Sequence, residues 1–253
     1  MSTPLVLSPA ACRGKSWHPP VDLRHVAKHA LIPLHMWELA QAAASMPLAL
    51  VRDGTDWQLV AVCGQQAGHN LFVAQDRWLG QYQPEWLASY PFQIFTVRDK
   101  GLVTFASDCG LLAEGAAGEP FFDQQGQMTP AVLSRVETLK ANFGKYQATA
   151  RVISALAAAG VLTRWSAELV EATGIAVDGL YLIDEPALAM LDEAAFLELR
   201  RAKALPLAYA VNLSLPQSHL LARLARVNPV RAEAAVDLDT LFGDDDDSLS
   251  FNF

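Results

Sequence analysis

The chain of 253 residues carries 27 acidic and 19 basic side chains, a formal net charge of −8, and 52% hydrophobic residues. This composition is that of a globular protein and excludes an intrinsically disordered chain. No run of about 18 apolar residues occurs, so the sequence predicts no membrane-spanning helix.

The cysteines and the N-terminal sequence indicate the cellular compartment in which the protein resides. Cys12, Cys63 and Cys109 are widely spaced and form no CxxC pair, which argues against a disulfide framework and favours a reducing environment. The first residues lack the basic and apolar regions of a secretory signal. We therefore expect a cytoplasmic protein.

The negative charge is concentrated near the C-terminal end. Residues 227–253 contain seven acids and one base, Arg231, and so carry −6, whereas the rest of the chain has 20 acids and 18 bases, or −2. A nearly neutral body has no basic stripe with which to displace counterions from phosphates. The sequence thus disfavours nucleic-acid binding by the folded body.

The first half of the chain is predicted to be rich in strands. Residues 1–20 contain four prolines and no hydrophobic period, which indicates an irregular arm. Residues 35–46 have helical spacing and are followed by Pro47. Strands are predicted next, with hairpin turns at Asp53-Gly54 and Lys100-Gly101 and one or two helical turns at 83–90. The predicted strands are 48–51, 57–64, 71–74, 91–99 and 102–108.

The second half is predicted to be rich in helices. A long helix runs from Thr129-Pro130 to Gly160, because apolar residues recur there every three or four positions. The other predicted helices are 164–172, 192–203 with Asp192 as N-cap, and 216–227, and the other predicted strands are a strand or hairpin in 174–185 and a strand at 205–215. This order does not alternate regularly between strand and helix. It predicts an α+β fold with an antiparallel or mixed sheet.

Four residues are candidates for a metal site. His25 and His29 are spaced i,i+4, as in chelating pairs on a helix, and His35 or Glu38 could supply a third ligand. No HExxH or HxD motif accompanies them, and Pro33 separates His29 from His35. The favoured interpretation is therefore that these histidines are solvated or take part in packing. With no nucleotide-binding glycine motif either, we expect no cofactor.

Five aromatic residues fall within a stretch of 15 residues, and they could line a groove for a ligand or peptide or form a layer of the core. These candidates are Trp78, Tyr82, Trp86, Tyr90 and Phe92. Asp184-Glu185 could be a general acid/base pair, although a cap of the next helix is the favoured interpretation. Cys109 is the one thiol for which reactivity is considered.

Several segments together resemble the SapC-like family. The motifs NLFV (70–73), WLGQY (78–82) and YPF (90–92) are specific, and the similarity extends over roughly residues 20–225. The family is named after a protein encoded beside bacterial surface-layer genes. Its members also occur near cupin-like hydroxylases, flavin-dependent tryptophan halogenases and TonB-dependent receptors. The resemblance implies an accessory role in surface or uptake systems or with their tailoring enzymes, and it implies no particular reaction.

The C-terminal residues depart from the usual family ending. We predict an arm at 1–20, an α+β domain at 21–227, and a flexible, disordered segment at 228–253, which we call the acidic tail. In the tail, aromatic residues follow four consecutive aspartates. A partner with a basic pocket could bind the aspartates and bury one of the aromatic rings. Solubilisation, or docking on the chain's own body, is the alternative. The candidate tail residues are Asp244, Asp245, Asp246, Asp247, Phe251 and Phe253.

The expected function is that of a non-catalytic accessory or adaptor protein that binds a protein or peptide partner. The absence of catalytic motifs such as GxSxG, the neutral body and the acidic tail lead to this expectation. The alternatives are an enzyme that acts on a peptide or amino acid, possibly with a metal, and a binder of small molecules that uses residues 78–92. The sequence does not indicate an oligomeric state.

Overall fold

The fold is described by a computed structural model over residues 3–97 and 100–228, without the side chains of residues 96, 97 and 100. Nearly all of the acidic tail, from Pro229 onward, lies outside these residues, and so do all of the tail's predicted binding residues. Within the described ranges no helix is both long and apolar enough to cross a membrane.

Thirteen short strands occur in the described ranges, and all of their pairings are antiparallel. They are β1 (Leu5–Val6), β2 (Lys15–Trp17), β3 (Leu31–Leu34), β4 (Leu48–Asp53), β5 (Asp56–Val62), β6 (Val73–Ala74), β7 (Arg77–Trp78), β8 (Phe92–Val97), β9 (Lys100–Phe105), β10 (Leu112–Glu114), β11 (Glu119–Pro120), β12 (Leu162–Arg164) and β13 (Leu180–Ile183).

Eight α-helices occur in the same ranges, five of them after residue 160. They are α1 (Leu39–Ala43), α2 (Trp86–Ser89), α3 (Pro130–Ala158), α4 (Ala167–Thr173), α5 (Glu185–Ala189), α6 (Glu193–Arg201), α7 (Ala204–Leu213) and α8 (Ser218–Val227). Short 3₁₀ turns precede α1 and α8. The predicted α+β class is confirmed.

The largest sheet has five strands in the order β12-β13-β4-β5-β3. Its centre is the predicted hairpin of β4 and β5, in which Asp53 pairs with Asp56 across the Asp53-Gly54 turn. The outer strands β12 and β13 come from the helix-rich half, so this sheet joins segments that are more than 100 residues apart in the chain.

The long helix α3 connects two hydrophobic clusters. Its first half contributes Val132, Val136 and Leu139 to a small cluster, and its second half contributes Ile153 and Leu156 to the main core beneath the five-stranded sheet. At 1.5 Å per residue the 29 residues of α3 extend about 43 Å, which is long enough to back both clusters.

The prediction of an irregular arm is wrong for residues 5–17, which contain the strands β1 and β2. Strands β1 and β2 pair with β9, β10 and β11, and Trp17 is fully buried. These strands are only two and three residues long, so they carry too few side chains for a sequence period to show. Their stability comes from the rings of the small cluster rather than from local preference.

The prediction of a strand at 205–215 is wrong, because most of this stretch is the helix α7. Ala204, Leu207, Ala208 and Val211 are buried at helical spacing. Apolar residues on the opposite face, including the exposed Leu213, hide this period and give a continuous apolar run that resembles a buried strand.

The second predicted hairpin is present with a shifted turn. Val97 pairs with Lys100 and Thr96 with Gly101, so Lys100 and Gly101 belong to β9 rather than to the turn. The predicted strand at 71–74 is reduced to the two residues of β6.

We expect Trp17→Ala to lower the free energy of unfolding by about 3–5 kcal/mol, because a buried indole leaves a cavity that its neighbours fill only in part. The ring of Trp17 lies 5.2 Å from the ring of Phe92 and 5.9 Å from that of Phe105. Urea denaturation measures the change. Trp37→Ala is the control, since Trp37 is 62% exposed, and equal losses for the two variants would contradict the assignment of Trp17 to the core.

Candidate functional site

The structure distributes the five aromatic candidates between the two clusters. Trp78, Tyr82, Trp86 and Tyr90 pack in or against the main core, whereas Phe92 belongs to the small cluster. Trp86, Tyr90 and Phe92 are buried, and Trp78 stacks on Phe72 with ring centres 5.0 Å apart. The five rings do not form one exposed groove, and this placement favours the core interpretation.

Two of the histidine candidates lie against Tyr90. His29 Nε2 is 3.0 Å from the Tyr90 hydroxyl, and the His25 ring stacks on the Tyr90 ring with centres 5.7 Å apart. The ring of His29 also meets the edge of Trp86 at 5.3 Å. The histidine pair and the aromatic stretch, considered separately in the sequence, therefore form one packed group.

A cleft of about 370 Å³ opens beside this group. One wall comes from the chain between β2 and β3, and the other from the loop between β9 and β10. The cleft is lined by His18, Pro19, Pro20, Val21, Asp22, Arg24, His25, Cys109, Gly110 and Leu111. Its surface thus combines apolar side chains with a few groups that can donate or accept hydrogen bonds.

The two walls of the cleft are tied together and to the body. The backbone N–H of His18 donates to the carbonyl oxygen of Leu111 at 2.8 Å. On the outer side, Arg24 forms an ion pair of 2.6 Å with Asp22 and another of 3.5 Å with Asp76. The bond between His18 and Leu111 joins the two walls, and the pair of Arg24 and Asp76 attaches one wall to the turn after β6.

The ring nitrogens of His25 are an unusual feature of the cleft. Both are buried, and neither has a hydrogen-bond partner among the described residues. A neutral imidazole carries one donor and one acceptor, and leaving them unpaired away from water costs free energy. Both nitrogens are closed off from solvent, and the backbone of Asp22 partly opposes the lowering of the His25 pKa.

Burial biases two titratable groups of the cleft lining, His25 and Cys109, towards their neutral forms. Burial, together with the nearby Arg135 guanidinium, lowers the pKa of His25, and burial lowers the pKa of His29. Burial also raises the pKa of the Cys109 thiol, against a smaller opposing effect of backbone hydrogen bonds. Near neutral pH the cleft therefore presents the His25 imidazole and the Cys109 thiol in their neutral forms, beside the ion pair of Asp22 and Arg24.

Arg135 holds the long helix α3 against the segment that carries Tyr90. Its guanidinium donates to the carbonyl oxygens of Ala88 and Tyr90, at 3.2 and 3.0 Å, and lies 5.8 Å from the centre of the Trp17 ring. These bonds connect α3 to the end of α2 and determine where Tyr90 presents its ring to His25.

The other two metal candidates belong to a separate polar group. The Glu38 carboxylate, which is almost fully buried, accepts the hydroxyl of Tyr82 at 2.6 Å and the backbone N–H groups of Glu85 and His35, each at 2.9 Å. His35 Nε2 lies 3.1 Å from Glu85 Oε2, which also binds Lys145 Nζ at 3.2 Å. The residues of this group come from the turn before α1, from the chain at α2 and from α3.

The polar group positions these segments rather than presenting a reactive side chain. Partial burial alone would raise the pKa of Glu85, but hydrogen bonds from Lys145 and His35 outweigh it and hold that pKa below its usual value. Burial and the bond to Glu38 raise the pKa of Tyr82, so its hydroxyl stays protonated and donates. A buried carboxylate with three donors is well satisfied and rigid.

The four metal candidates are therefore divided between two places. His25 and His29 lie against Tyr90, and His35 and Glu38 face Glu85 and Tyr82. In residues 3–97 and 100–228 no three His, Cys, Asp or Glu side chains are grouped so that they could hold a metal ion.

Asp184 acts as a helix cap. Its carboxylate accepts the backbone N–H of Ala187 at 2.9 Å at the start of α5, as the favoured interpretation predicted. The adjacent Glu185 accepts from the Asn212 amide at 2.9 Å. Asp184 therefore stabilises the start of α5, and Glu185 connects α5 to α7.

Comparison with known proteins identifies the family. Residues 7–221 match the model of the SapC family. The chain belongs to the SapC family. No curated protein and no solved structure matched the chain. The matched range includes both cleft walls and the polar group.

Sequence reasoning missed most of the cleft. His18, Pro19 and Pro20 lie at the end of the predicted irregular arm, and Val21, Gly110 and Leu111 belong to no motif in the sequence. His25 and Cys109 are candidates in the sequence, but for separate roles. The motif His18-Pro19-Pro20-Val21 could have indicated an exposed, rigid apolar segment, but nothing in the sequence places it beside Cys109.

We expect the free energy of unfolding to fall as the pH is lowered from 7.5 to 5.5. His25 and His29 have folded-state pKa values below their ordinary value of 6.5, so the unfolded chain binds more protons in this range. Urea denaturation at pH 7.5, 6.5 and 5.5 measures the slope. The double variant His25→Gln/His29→Gln should show a shallower slope, whereas His219→Gln, on an exposed face of α8, should retain it. An unchanged slope in the double variant would show that these histidines are not held neutral.

Proposed function

We propose that this SapC-family protein is a non-catalytic accessory or adaptor protein that holds a peptide or an extended protein segment in the cleft between residues 18–25 and 109–111. The observation that carries the proposal is the cleft itself, in which the apolar Pro19, Pro20 and Val21 lie beside the charged pair of Asp22 and Arg24. Such a surface can bury a side chain and pair with a backbone amide at the same time.

The dimensions and the lining suit a peptide. A volume of about 370 Å³ lies at the small end of ligand sites and accommodates two or three side chains. Pro19 and Pro20 form a stiff wall, and Val21 is 93% exposed at the rim. Extended peptides are commonly recognised by apolar pockets together with hydrogen bonds to their main chain.

The electrostatics support binding rather than catalysis. A thiol attacks as its thiolate, and burial favours the protonated form of Cys109. His25 and His29 lie against the ring of Tyr90, and neither ring forms an ion pair with a carboxylate among the described residues. The metal-assisted alternative, through His25, His29, His35 and Glu38, gains no support from a geometry that separates these residues into two pairs.

The family suggests where such binding would be used. Its association with surface-layer genes, uptake receptors and tailoring enzymes is consistent with a protein that presents a peptide or protein to one of them. We also propose a cytoplasmic location. The described residues contain three free thiols, Cys12, Cys63 and Cys109, as is usual in a reducing compartment.

The test is the selection of binding peptides with the full chain from a displayed random library, followed by fluorescence polarisation with the selected peptides. We expect Val21→Asp to weaken their binding at least tenfold, because it introduces a charge at an apolar rim. Since Val21 is exposed, the substitution should leave the fold intact, which circular dichroism checks.

Met190→Asp is the matched control, because Met190 is 84% exposed at the end of α5 and does not line the cleft. It should leave the affinity of the selected peptides unchanged. The proposal fails if no selected peptide depends on Val21. Cleavage or chemical modification of a bound peptide, seen by mass spectrometry, would favour the enzyme alternative instead.

A further inference from the structure

The large sheet ends on one side in β12, which pairs with β13 alone. The backbone N–H of Trp165, just after β12, donates to the carbonyl oxygen of Leu180 at 3.0 Å. In an antiparallel pair the residues that bond to the neighbouring strand alternate, so Thr163 also faces β13, whereas the backbone groups of Leu162 and Arg164 face away from it. In the described part of the chain no hydrogen bond reaches these outward N–H and C=O groups.

The opposite edge of the same sheet is blocked by a proline. The backbone N–H of Cys63 donates to the carbonyl oxygen of Ala30 at 2.7 Å, and by the same alternation Leu31 and Pro33 of β3 face outward. Proline has no N–H to donate, and it is typical of edge strands that pair no further. β12 contains no proline, and its Arg164 is exposed. Of the two edges, β12 is therefore the one that can accept another strand.

The other side of β13 is satisfied by a side chain where its strand pairing ends. β13 pairs with β4 only at Leu180 and Tyr181. At Ile183 the side-chain amide of Asn212 takes the place of a strand, because its Oδ1 accepts the backbone N–H at 3.1 Å and its Nδ2 donates to the carbonyl oxygen at 2.9 Å. The fold pairs Ile183 in this way but provides no such partner, among the described residues, for the outer side of β12.

An open cavity of about 480 Å³ lies beside β12 and β13. Its lining includes Thr163, Leu182, Asp184, Glu185, Pro186 and Leu215. The two carboxylates accept hydrogen bonds from the backbone of Ala187 and from the Asn212 amide. Neither forms an ion pair with a described residue, and no base lines the cavity. The cavity therefore combines apolar walls with two negative charges that a basic side chain would complement.

We propose that an extended segment of a partner protein pairs with β12 as a sixth strand of the large sheet, and that a lysine or arginine of this segment binds Asp184 and Glu185. The main chain of the segment bonds to the outward groups of Leu162 and Arg164, and the basic side chain adds specificity. Neighbouring strands lie about 4.8 Å apart, so the added strand runs about 10 Å from β13. A long basic side chain and a carboxylate together bridge this distance.

This second site goes beyond the proposed function, because it shares no residue with the cleft. An accessory protein with both sites holds one segment in the cleft and pairs with another along β12.

The experiment compares Arg164→Pro with Arg164→Ala in the full chain. Both remove the guanidinium, which donates to the Tyr181 hydroxyl at 3.0 Å, but only proline also removes the outward N–H. A displayed library of random peptides is depleted on the Arg164→Pro protein and then selected on the natural protein. We expect the selected peptides to bind Arg164→Pro at least tenfold more weakly than Arg164→Ala in fluorescence polarisation. The proposal fails if no selected peptide distinguishes the two variants.

The charge is tested with Asp184→Asn/Glu185→Gln, which keeps both acceptors and removes both charges. The selected peptides should contain lysine or arginine and should bind this variant at least tenfold more weakly. Asp192→Asn/Glu193→Gln is the matched control, because Asp192 and Glu193 take the same positions at the start of α6 and do not line the cavity. Equal affinities for the two double variants would overturn the role of Asp184 and Glu185.

Hydrogen exchange tests the added strand in the natural protein and does not depend on the folding of any variant. With a selected peptide at saturation, the amide hydrogens of Leu162 and Arg164 should exchange at least tenfold more slowly, as NMR measures residue by residue. Unchanged exchange at both positions would overturn the pairing with β12.

Val21→Asp separates this site from the cleft. Peptides that pair with β12 should bind the Val21→Asp protein as tightly as the natural protein. If every selected peptide depends on Val21 instead of the Arg164 N–H, the cleft is a binding site and the site at β12 is wrong. If peptides bind at β12 while none depends on Val21, the proposed role of the cleft fails and the second site stands.

Discussion

Burial of Tyr90 connects the parts of this protein on which its proposed site depends. The ring supports His25 on one face and binds His29 through its hydroxyl, while the Tyr90 carbonyl is held by Arg135 of the long helix. Two residues later, Phe92 enters the small cluster around Trp17. The main core, the small cluster and the cleft therefore share one short segment, and a change in its position would alter all three.

The polar group around Glu38 has a different role. A buried carboxylate loses its hydrating water, and in this group three protein donors bind the carboxylate instead. These donors fix the chain that leads into α2, and hence the position of Trp86 and Tyr90. An unsatisfied buried charge is costly, so the group favours one arrangement of the chain at this place. Both His25 nitrogens and Nδ1 of His35 are buried without a hydrogen-bond partner among the described residues. The group around Glu38 serves to position the chain, whereas His25 lies at the edge of a cleft with room for a ligand.

The proposed binding role of the cleft is consistent with the distribution of charge. A nearly neutral body gives little long-range attraction to a partner, so recognition depends on local shape and on the few charges beside the cleft. The acidic tail carries most of the net charge of the chain.

The sequence by itself determined the α+β class, the helix that starts at Pro130, the hairpin at Asp53-Gly54, the caps at Asp184 and Asp192, and the family. These features are local, because a hydrophobic period, a turn residue or a cap acts within a few residues of itself. Only the tertiary structure decided that residues 205–215 are mostly a helix, that Trp17 is core, and that His18 to His25 lie beside Cys109. These results depend on contacts between separate segments, such as Trp17 with Phe92 and His18 with Leu111, and their energy comes from burial that no local pattern records.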